Sequence, residues 1–436
     1  MKSVFVKVFI YLLFTFRFVA GQNPIIGNIG ISDPHARVFN DTLYLFTGHD
    51  DHPGDSTWVM RDWLIFSTTD LVNWKIEGDI SPKDNYMDDN STSCWASDAI
   101  DRNGKYYFYF SNHKNNIGVM VANSPKGPFK DALGKPLVSW FDPTILIDDD
   151  QQKTPYIVYG DKAESYHIAR LNNDMISLAE TPRAIQITGE EWKTAPSWMD
   201  KNYIFKRNGI YYLVWAYGYA TSKNVYGPYE CRGVAGKGHN LDAFAHGSFF
   251  EWQGQFYHIW CHYIKVGRKY RETVISYCHF DDQGNIKTDT RFLDKHYAYG
   301  VGRYEAVWDT IEAEWFTARS KELVKKECVE GGFEVANIGN QSWLKFSKVD
   351  FKNAGNIFSA RLSNVNPGVT MEIRQDSITG PLLGKMKLAE SASERDFIKV
   401  NLAYKKPVGT KDIYLRFEGN INKKLHLNWI SFNQKK

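Results

Sequence analysis

Short runs in which aromatic and aliphatic residues alternate recur along the first two thirds of this 436-residue chain. Each run follows a turn pair, Asn-Gly or Gln-Gly or a polar substitute, and this pattern predicts a hairpin leading into a buried strand. The five copies are NDTLYLFTG from Asn40, RNGKYYFYFS from Arg102, DDQQKTPYIVYG from Asp149, NGIYYLVWA from Asn208 and QGQFYHIWC from Gln253.

The spacing of these copies predicts the architecture of the first region. They stand roughly 45 to 65 residues apart, which is enough for one four-stranded antiparallel sheet each, and helical periodicity between them is almost absent. A sheet repeated at this period is typical of a β-propeller, in which radial closure removes exposed edges. We therefore predict an all-β fold with a five-bladed β-propeller; a long β-sandwich that reuses similar turns is the alternative.

The pattern changes near residue 305, where shorter alternating strands begin and continue to the end of the chain. They predict a β-sandwich (jelly-roll) of about 125 residues. The expected division is a signal peptide over residues 1–21, a propeller catalytic domain over 22–305 and a sandwich over 306–436. The predicted strands are KFSKVDF, FSARLS, TMEIRQDS, IKVNLAY, DIYLRFEG and LHLNWISF.

The N-terminus reads as a secretory signal peptide, with Lys2 and Lys7 ahead of an apolar segment and cleavage expected near Ala20 or Gly21. No other stretch of about 18 apolar residues follows, so we expect no membrane anchor. The predicted location is secreted or periplasmic, and the predicted state is a monomer.

The amino-acid composition limits the classes of ligand that the protein is expected to bind. The formal net charge is +3, and the sequence has no long basic run that would indicate nucleic-acid binding. Aromatic residues make up 15 % of the chain, and such rings often line sites for weakly polar ligands such as sugars. The five cysteines have no CxxC spacing and suggest neither a zinc site nor a disulfide scaffold, although one or two bridges stay open.

Three acidic residues stand just ahead of repeated strands, where a propeller would gather them around one central pocket. They are Asp33 in SDPHARV, Asp142 in FDPTILI and Asp200 in SWMDKNYIFKRNG. Two of them occur as Asp-Pro in a nearly shared frame, and a proline after the acid favours an extended backbone, which can aim a carboxylate into a pocket. A lone Asp-Pro would more simply start a turn.

At these residues the chain resembles glycoside hydrolase family 43. The resemblance rests on DPHARV, MRDWLIFSTTDLVNW, CWASDAIDRNGKYYFYFS, FDPTILIDDD, IFKRNGIYYLVWA and AHGSFFEWQGQFYHIWCH, in this order. It implies a five-bladed propeller and an enzyme that cleaves α-L-arabinofuranosides, β-D-xylosides and related plant-wall linkages with inversion. By the same resemblance, Asp33 is the general base and Asp142 orients the proton donor.

The proton donor is where the sequence departs from the family pattern. Members usually carry Glu, followed by Gly-Pro or Ala-Pro, where a gap-free match here places Asp200. Glu190 and Glu191 in TGEEWKTAPSW are the alternatives, and an impaired site is a third reading.

Three further positions are candidates for substrate binding. Arg271 in YRETVIS matches an arginine that binds sugar hydroxyls, although a surface salt bridge would also explain it. His246 in AHGS matches a histidine near a central ion or water cluster, and could equally be a core residue. Trp95, beside Cys94, is expected to form a pocket wall.

The C-terminal region resembles carbohydrate-binding module family 6 through IEAE, GNIFSARLSNVNPGVTMEIRQDS and DIYLRFEG. The resemblance implies a structural calcium ion at Glu312 and Glu314. It also places Phe397 near the usual sugar-stacking residue, with Trp343 as a second candidate. Asn428 stands where the family commonly has Asp.

Together these features predict an inverting glycoside hydrolase that removes terminal pentoses from a plant cell-wall polysaccharide or oligosaccharide. An α-L-arabinofuranosidase acting on arabinoxylan or arabinan is the first expectation. A β-D-xylosidase is the alternative, and a sugar-binding protein that has lost catalysis is a further one. No organic cofactor is expected.

Overall fold

The computed structural model describes residues 19–20, 23–112, 116–190, 202–236, 244–420 and 424–434. Within these residues the protein consists almost entirely of β-strands, so the predicted all-β class is confirmed. Its helical parts are α1 (Thr290–His296) and the 3-10 turns Pro82–Asp84, Ala163–Ser165, Tyr297–Tyr299 and Ala313–Trp315. Asp200, Glu191 and most of the expected signal peptide lie outside the described residues.

Five sheets follow one another along residues 19–288. The first contains β1 (Val19–Ala20), β2 (Ile31–Phe39), β3 (Thr42–Asp50), β4 (Met60–Thr68) and β5 (Asn73–Ile80). The second contains β6 (Ser97–Arg102), β7 (Lys105–Asn112), β8 (Asn116–Ala122), β9 (Lys130–Asp131) and β10 (Val138–Ser139). The third contains β11 (Thr144–Ile147), β12 (Pro155–Tyr159), β13 (His167–Arg170) and β14 (Arg183–Ala184).

The last two of these sheets continue the series. The fourth contains β15 (Ile187–Thr188), β16 (Asn202–Arg207), β17 (Ile210–Trp215), β18 (Gly218–Ser222) and β19 (Tyr229–Val234). The fifth contains β20 (Phe244–Trp252), β21 (Gln255–Tyr263), β22 (Arg271–Phe280) and β23 (Ile286–Thr288). Neighbouring strands within each sheet are antiparallel, except that β15 runs parallel to β19.

The five repeated runs form β3, β7, β12, β17 and β21, the second strand of each hairpin, as predicted. Their turn residues have the expected left-handed backbone: Asn103 and Gly104 have φ of 51° and 75°, and Asn208 and Gly209 have φ of 50° and 75°. Two successive positive φ angles are what a two-residue hairpin turn of type I′ needs, which explains the Asn-Gly pairs.

The first strand of each hairpin contacts the first strand of the next. Strand β2 contacts β6, β6 contacts β11, β11 contacts β16, β16 contacts β20, and β20 returns to β2. The N-terminal segment supports this last contact, because the Asn23 side-chain amide exchanges hydrogen bonds of 2.8 and 2.9 Å with the backbone of Ile275 in β22. Strands that are far apart in the sequence, such as β2 and β20, are therefore neighbours in the structure.

Two six-stranded sheets form the rest of the chain, where the sequence predicts a sandwich. One contains β24 (Tyr304–Glu305), β26 (Ala318–Arg319), β29 (Trp343–Asp350), β31 (Thr370–Gln375), β32 (Leu382–Lys387) and β34 (Thr410–Glu418). The other contains β25 (Ile311–Glu312), β27 (Val324–Glu327), β28 (Phe333–Ile338), β30 (Ile357–Ser363), β33 (Ile398–Ala403) and β35 (Leu425–Gln434).

A continuous hydrophobic core links the fifth sheet to these two sheets. Tyr277 and Trp315 stack with ring centroids 6.3 Å apart, and both belong to the cluster that contains the sandwich interior. The Gln255 amide donates to the carbonyls of Glu314 and Phe316 at 2.7 and 2.8 Å. The two regions therefore share buried apolar and polar contacts.

All five cysteines are buried as free thiols, so neither of the disulfides left open by the sequence forms. Among the helices in the described ranges, none combines the length and the apolar character needed to cross a bilayer.

Candidate active site

Asp33 lies in β2 at a bulge that lifts it out of the regular ladder. The pairing of β2 with β3 shifts register between Ser32 and His35, and Asp33 has φ of 48°. Bulges of this kind re-aim a side chain, and a positive φ at a non-glycine residue is uncommon. A Cβ atom at Gly48 would stand 3.2 Å from the Asp33 carboxylate, so the facing strand leaves room for it. Asp33 is only 2 % exposed.

Two basic side chains from the fifth sheet contact the Asp33 carboxylate. Arg271 Nη1 donates to Asp33 Oδ1 at 2.8 Å, and His246 Nδ1 contacts the same oxygen. The backbone N–H of Asp33 donates to Cys261 Sγ at 3.3 Å. Hydrogen bonds from charged donors are strong, and these contacts fix the position of the Asp33 carboxylate.

A second acid, Asp50, fixes the arginine. Arg271 Nε and Nη2 donate to the two Asp50 oxygens at 2.9 and 2.7 Å, and the Arg271 backbone N–H adds a bond of 2.8 Å. Burial raises the pKa of Asp50, and Arg271 opposes that rise. Although burial favours the neutral guanidine, Asp33 and Asp50 together hold the pKa of Arg271 well above its ordinary value. The guanidinium therefore stays charged and is locked between two carboxylates.

Asp142 repeats the conformation of Asp33. It also precedes a proline, it has φ of 54°, and it is 5 % exposed. Ser111 Oγ lies 3.4 Å from Asp142 Oδ1, and the Asn202 side chain donates to the Asp142 carbonyl at 2.7 Å. The shared Asp-Pro frame in the sequence therefore corresponds to a shared backbone geometry.

Asp98 ties the strand that carries Asp33 to the strand that follows Asp142. Its carboxylate accepts from Arg37 Nε and Nη2 at 3.0 and 2.5 Å, and from the backbone N–H of Ile145 at 2.7 Å. Although burial alone would raise the pKa of Asp98, Arg37 and His35 lower it below the ordinary value. One carboxylate in β6 thus holds β2, which carries Asp33, to β11, which follows Asp142.

Trp95, which the sequence predicts to form a pocket wall, packs beside the residue that precedes Asp142. The half-buried Trp95 ring lies 5.6 Å from the ring of Phe141, the residue before Asp142. The Trp95 backbone N–H donates to the Ser111 carbonyl at 3.1 Å, which fixes Trp95 beside the serine that contacts Asp142. The structure therefore brings Trp95 next to Asp142, and His246 and Arg271 next to Asp33.

Two of the three candidates for the proton donor, Asp200 and Glu191, lie outside the described residues. Glu190 is described and is exposed. Asn202, two residues after Asp200 in the sequence, begins β16 and contacts the Asp142 carbonyl.

The two acids expected to bind calcium have different surroundings. Glu312 is 1 % exposed and pairs with Arg291 Nη2 at 2.7 Å, so the chain itself supplies a cation. Glu314 is 2 % exposed, and its Oε2 finds no hydrogen-bond partner among the described residues. Burial, followed by the charge of Glu312, raises the pKa of Glu314 well above its ordinary value. Ligand atoms of His279, Asp289 and Glu314 lie within 4.8 Å of one another.

The other sandwich candidates lie on separate sheets. Phe397 precedes β33, and the Arg361 guanidinium lies 5.5 Å from its ring. Trp343 lies in β29, with its ring 5.9 Å from that of Tyr414. Asn428 donates to Glu330 Oε2 at 3.0 Å and so takes part in a different contact from Glu312 and Glu314.

Sequence reasoning missed Asp50, Asp98 and Arg37, although all three organise the site. Asp50 and Asp51 are adjacent acids at the end of the first repeated strand, and nothing in the sequence separates the buried acid from the exposed one. A weak signal exists for Asp98, because SDAID begins the strand that pairs with KYYFYFS, and an acid at its start stands between small, buried residues.

Asp33 and Asp142 are two buried acids near inner strands, beside an arginine and an aromatic ring respectively, and glycoside hydrolysis uses a pair of carboxyl groups. The profile of Glycosyl hydrolases family 43 matches residues 21–286, and that of Carbohydrate binding module (family 6) matches residues 312–434. The chain belongs to glycosyl hydrolases family 43 and is a glycoside hydrolase.

Individual relatives agree with this assignment. The chain is similar to an arabinoxylan arabinofuranohydrolase of Paenibacillus polymyxa, with 25 % identity over 478 residues, covering 92 % of this chain and 72 % of the relative. It is also similar to a xylosidase/arabinosidase of Bacteroides ovatus, with 28 % identity over 253 residues, covering 47 % and 77 %.

Among solved structures, a family 43 arabinoxylan arabinofuranohydrolase from Bacillus subtilis in complex with cellotetraose has a TM-score of 0.54 and 22 % identity. The match covers 95 % of this chain and 99 % of that one. It supports a common fold for both regions.

Proposed function

We propose that this glycoside hydrolase removes terminal pentose residues from xylan-type plant cell-wall polysaccharides with inversion, as an α-L-arabinofuranosidase acting on arabinoxylan or arabinan. The observation that carries the proposal is the buried Asp33 carboxylate, which Arg271 and His246 contact. Its strand β2 is tied through Asp98 to β11, the strand that follows Asp142. The relatives named as arabinofuranohydrolases support the choice of sugar.

The proposed architecture is a five-bladed propeller over residues 22–305 followed by a sandwich over 306–436. The closed series of contacts from β2 through β6, β11, β16 and β20 supports the ring. In this proposed arrangement the starts of the inner strands face one central pocket, and Asp33 and Asp142 are the acids proposed to line it.

Each carboxylate has a proposed role. Asp33 acts as the general base that takes a proton from water, while an acid on the other side of the bond protonates the leaving oxygen. In inverting enzymes the two carboxyl groups stand roughly 6.5 to 9.5 Å apart to admit that water. Asp200 is the proposed acid, with Glu190 and Glu191 as alternatives, and Asp142 orients it and raises its pKa through like charge.

A β-D-xylosidase is the second candidate. It is favoured by the relatives named xylosidase/arabinosidase and beta-xylosidase, whose matches cover 47 % and 59 % of this chain. Pentofuranose and xylopyranose present similar hydroxyl groups, so Arg271 could bind either sugar.

We expect the protein to release nitrophenol faster from nitrophenyl α-L-arabinofuranoside than from nitrophenyl β-D-xyloside. It should also release arabinose from arabinoxylan or arabinan, and NMR of the first product should show the inverted anomer. A preference for the xyloside would select the second candidate. Failure on both glycosides and on plant-wall oligosaccharides would contradict the proposal and favour a binding protein without catalysis.

The identity of the acid can be tested with the same substrates. Asp200→Ala should lower turnover on arabinoxylan strongly, while Glu190→Ala and Glu191→Ala should retain it. If either glutamate variant is inactive while Asp200→Ala is unaffected, the proton donor is the glutamate.

We also propose that a calcium ion stabilises the junction near Glu312 and Glu314. Calcium prefers oxygen ligands such as carboxylates, and the buried Glu314 Oε2 is an acceptor without a donor. The ion would supply positive charge that Arg291, bound to Glu312, only partly provides.

Calcium at 100-fold its dissociation constant should add about 2.7 kcal/mol to the free energy of unfolding. The midpoint of thermal unfolding should therefore rise with CaCl2 and fall with EDTA, and Glu314→Gln should abolish the response. The control is Glu327→Gln, which changes an exposed glutamate of the sandwich. An equal response in Glu314→Gln would show that the ion binds elsewhere.

The proposed setting is a secreted or periplasmic monomer whose sandwich contacts the polysaccharide. The N-terminal charge and hydropathy pattern supports secretion, and the match to a carbohydrate binding module supports the role of the sandwich. Phe397 and Trp343 are the proposed sugar-stacking residues.

A further inference from the structure

Two loops leave the strands that hold the Asp33 carboxylate. One joins β3 to β4 and covers residues 51–59, and the other joins β21 to β22 and covers residues 264–270. The first loop directly follows Asp50, and the second directly precedes Arg271, whose guanidinium donates to both Asp33 and Asp50. Both loops therefore begin or end at a residue of the candidate active site.

The two loops are bound to each other by hydrogen bonds. The Lys269 backbone N–H donates to the Asp55 carbonyl at 2.8 Å, and Arg268 Nη1 donates to the Gly54 carbonyl at 2.9 Å. These bonds hold the loops in one arrangement before a ligand binds, and such ordering reduces the entropic cost of binding.

Aromatic rings and a lysine continue from Arg271 towards solvent. The Tyr263 ring lies 6.0 Å from the Arg271 guanidinium carbon and 5.2 Å from Lys269 Nζ. Lys269 Nζ also lies 4.0 Å from the centre of the Trp58 ring, and Trp58 is 44 % exposed. Cations within about 6 Å of an aromatic face are attracted to it, so the two rings position the ammonium group. We refer to Trp58, Tyr263, Arg268 and Lys269 as the basic rim.

The cationic groups of the basic rim have no acidic partner among the described residues. Neither Arg268 nor Lys269 forms an ion pair there, and the same holds for the exposed Lys265 of the same loop. Asp51 of the facing loop pairs instead with Arg61, with Nε and Oδ2 3.2 Å apart. The exposed indole adds an apolar face beside these cations, so the surface complements an anion that also carries a ring.

A sugar acid has both features. A uronic acid has C–H groups on the faces of its ring, which suit the Trp58 indole, and a carboxylate at its edge, which suits Lys269 and Arg268. An inorganic anion would use the cations but not the indole, and a neutral sugar would use the indole but not the cations.

We propose that the basic rim binds a uronic acid side group of the polysaccharide from which the enzyme removes pentoses. This inference rests on the proposed function and adds a substrate class to it, namely polymers that carry acidic side groups near the pentose. Tyr263 connects the rim to the reacting centre, because its ring lies beside Arg271, which donates to Asp33.

The test compares native glucuronoarabinoxylan with the same polymer after its carboxyl groups have been reduced to primary alcohols. Wild type should release arabinose from the native polymer with a kcat/KM about three- to fivefold higher, the size expected for one partly exposed ion pair. This ratio should fall towards one in 1 M NaCl, where the screening length is about 3 Å.

Substitutions in the basic rim should change the same ratio. Lys269→Gln should bring it close to one, whereas Lys269→Arg, which keeps the charge, should retain most of it. Trp58→Ala should also lower the ratio, because Lys269 loses the ring that positions it. Each variant is compared with itself on two polymers, so a loss of folded protein changes both rates equally.

The matched control is Lys223→Gln. Lys223 is an exposed lysine directly after β18, at the end of the fourth sheet where Ser222 pairs with Tyr211, and this end carries the hairpin turn. The variant should keep the wild-type ratio. A wild-type ratio near one, or a Lys269→Gln ratio equal to that of wild type, would overturn the inference, while release of arabinose would still support the proposed function.

If wild type releases no arabinose from either polymer, the proposed function fails, and calorimetric titration with a xylo-oligosaccharide that carries one glucuronic acid group decides the inference. An affinity that Lys269→Gln weakens about three- to fivefold supports the basic rim as a uronate site. Equal affinity in the two proteins overturns it.

Discussion

Replacing Asp33 with asparagine should lower kcat/KM on nitrophenyl α-L-arabinofuranoside by about 10² to 10⁴-fold, the usual contribution of a general base. Asparagine keeps the size of the side chain but cannot accept the proton of the attacking water. The fold should persist, because Arg271 keeps three hydrogen bonds to Asp50 when Asp33 loses its charge. Steady-state kinetics and a thermal unfolding curve of the same preparation measure both effects.

Asp41→Asn is the matched control for this experiment. Asp41 is an exposed acid in the turn between the two strands of the same hairpin, with φ of 58°, a conformation that asparagine also adopts readily. Its activity should stay within about twofold of wild type, as surface substitutions usually do. An Asp33→Asn enzyme that keeps a tenth or more of the wild-type rate would rule out Asp33 as the base.

The hairpins of the first region could be predicted because their signals are local. An Asn-Gly pair followed by alternating apolar residues fixes the turn and the buried face within about ten residues, and positive φ at Asn103 and Gly104 is the physical reason. The shared Asp-Pro frame was also local, but the extended backbone that it predicted is wrong, because Asp33 and Asp142 have positive φ angles of 48° and 54°.

Contacts between distant residues could not be predicted in this way. Arg271 and Asp50 are 221 residues apart in sequence, and only the return of the fifth sheet to the first brings them together. The sequence predicts that Arg271 binds sugar hydroxyls. In the structure its guanidinium donates hydrogen bonds to two carboxylates, Asp33 and Asp50. In the same way, the role of Asp98 depends on β6 lying between β2 and β11, which no single motif encodes.

Contacts across the boundary between the two regions were also not predictable from the sequence. Composition and strand length change near residue 305, but the polar network of Gln255, Lys325 and Asp289 spans that boundary. Burial lowers the pKa of Lys325 to about 7, and its Nζ donates to the Cys278 carbonyl at 2.7 Å. Such a network could not be expected from two independent domain patterns.

The Asp98 carboxylate accepts hydrogen bonds from residues of three inner strands, β2, β6 and β11. Besides the bonds from Arg37 and Ile145, it accepts from the Ala99 backbone N–H at 2.7 Å and lies 3.3 Å from His35 Nδ1. Its side chain is fully buried, and that of Arg37 is 16 % exposed. Removing one partner of such a pair leaves a charge with little water around it.

Asp98→Ala should therefore lower the free energy of unfolding by about 3 to 5 kcal/mol, the typical cost of breaking a buried ion pair. Chemical denaturation followed by tryptophan fluorescence measures this difference. Asp101→Asn, which changes an exposed acid on the same strand, should cost less than about 0.5 kcal/mol. Activity should fall together with stability, since β2, which carries Asp33, and β11, which follows Asp142, lose their common anchor.

The pH dependence of the free energy of unfolding shows whether the charge of Asp98 or its packing stabilises the inner strands. The pKa of Asp98 is lower in the folded protein than its ordinary value of 3.8, so its contribution to stability is fully present above that value and disappears as pH falls through the folded pKa. The stability difference between wild type and Asp98→Asn should thus be constant from neutral pH down to about 4 and narrow only below it. A difference that does not change at lower pH would mean that shape and packing, rather than the charge of Asp98, hold the inner strands together.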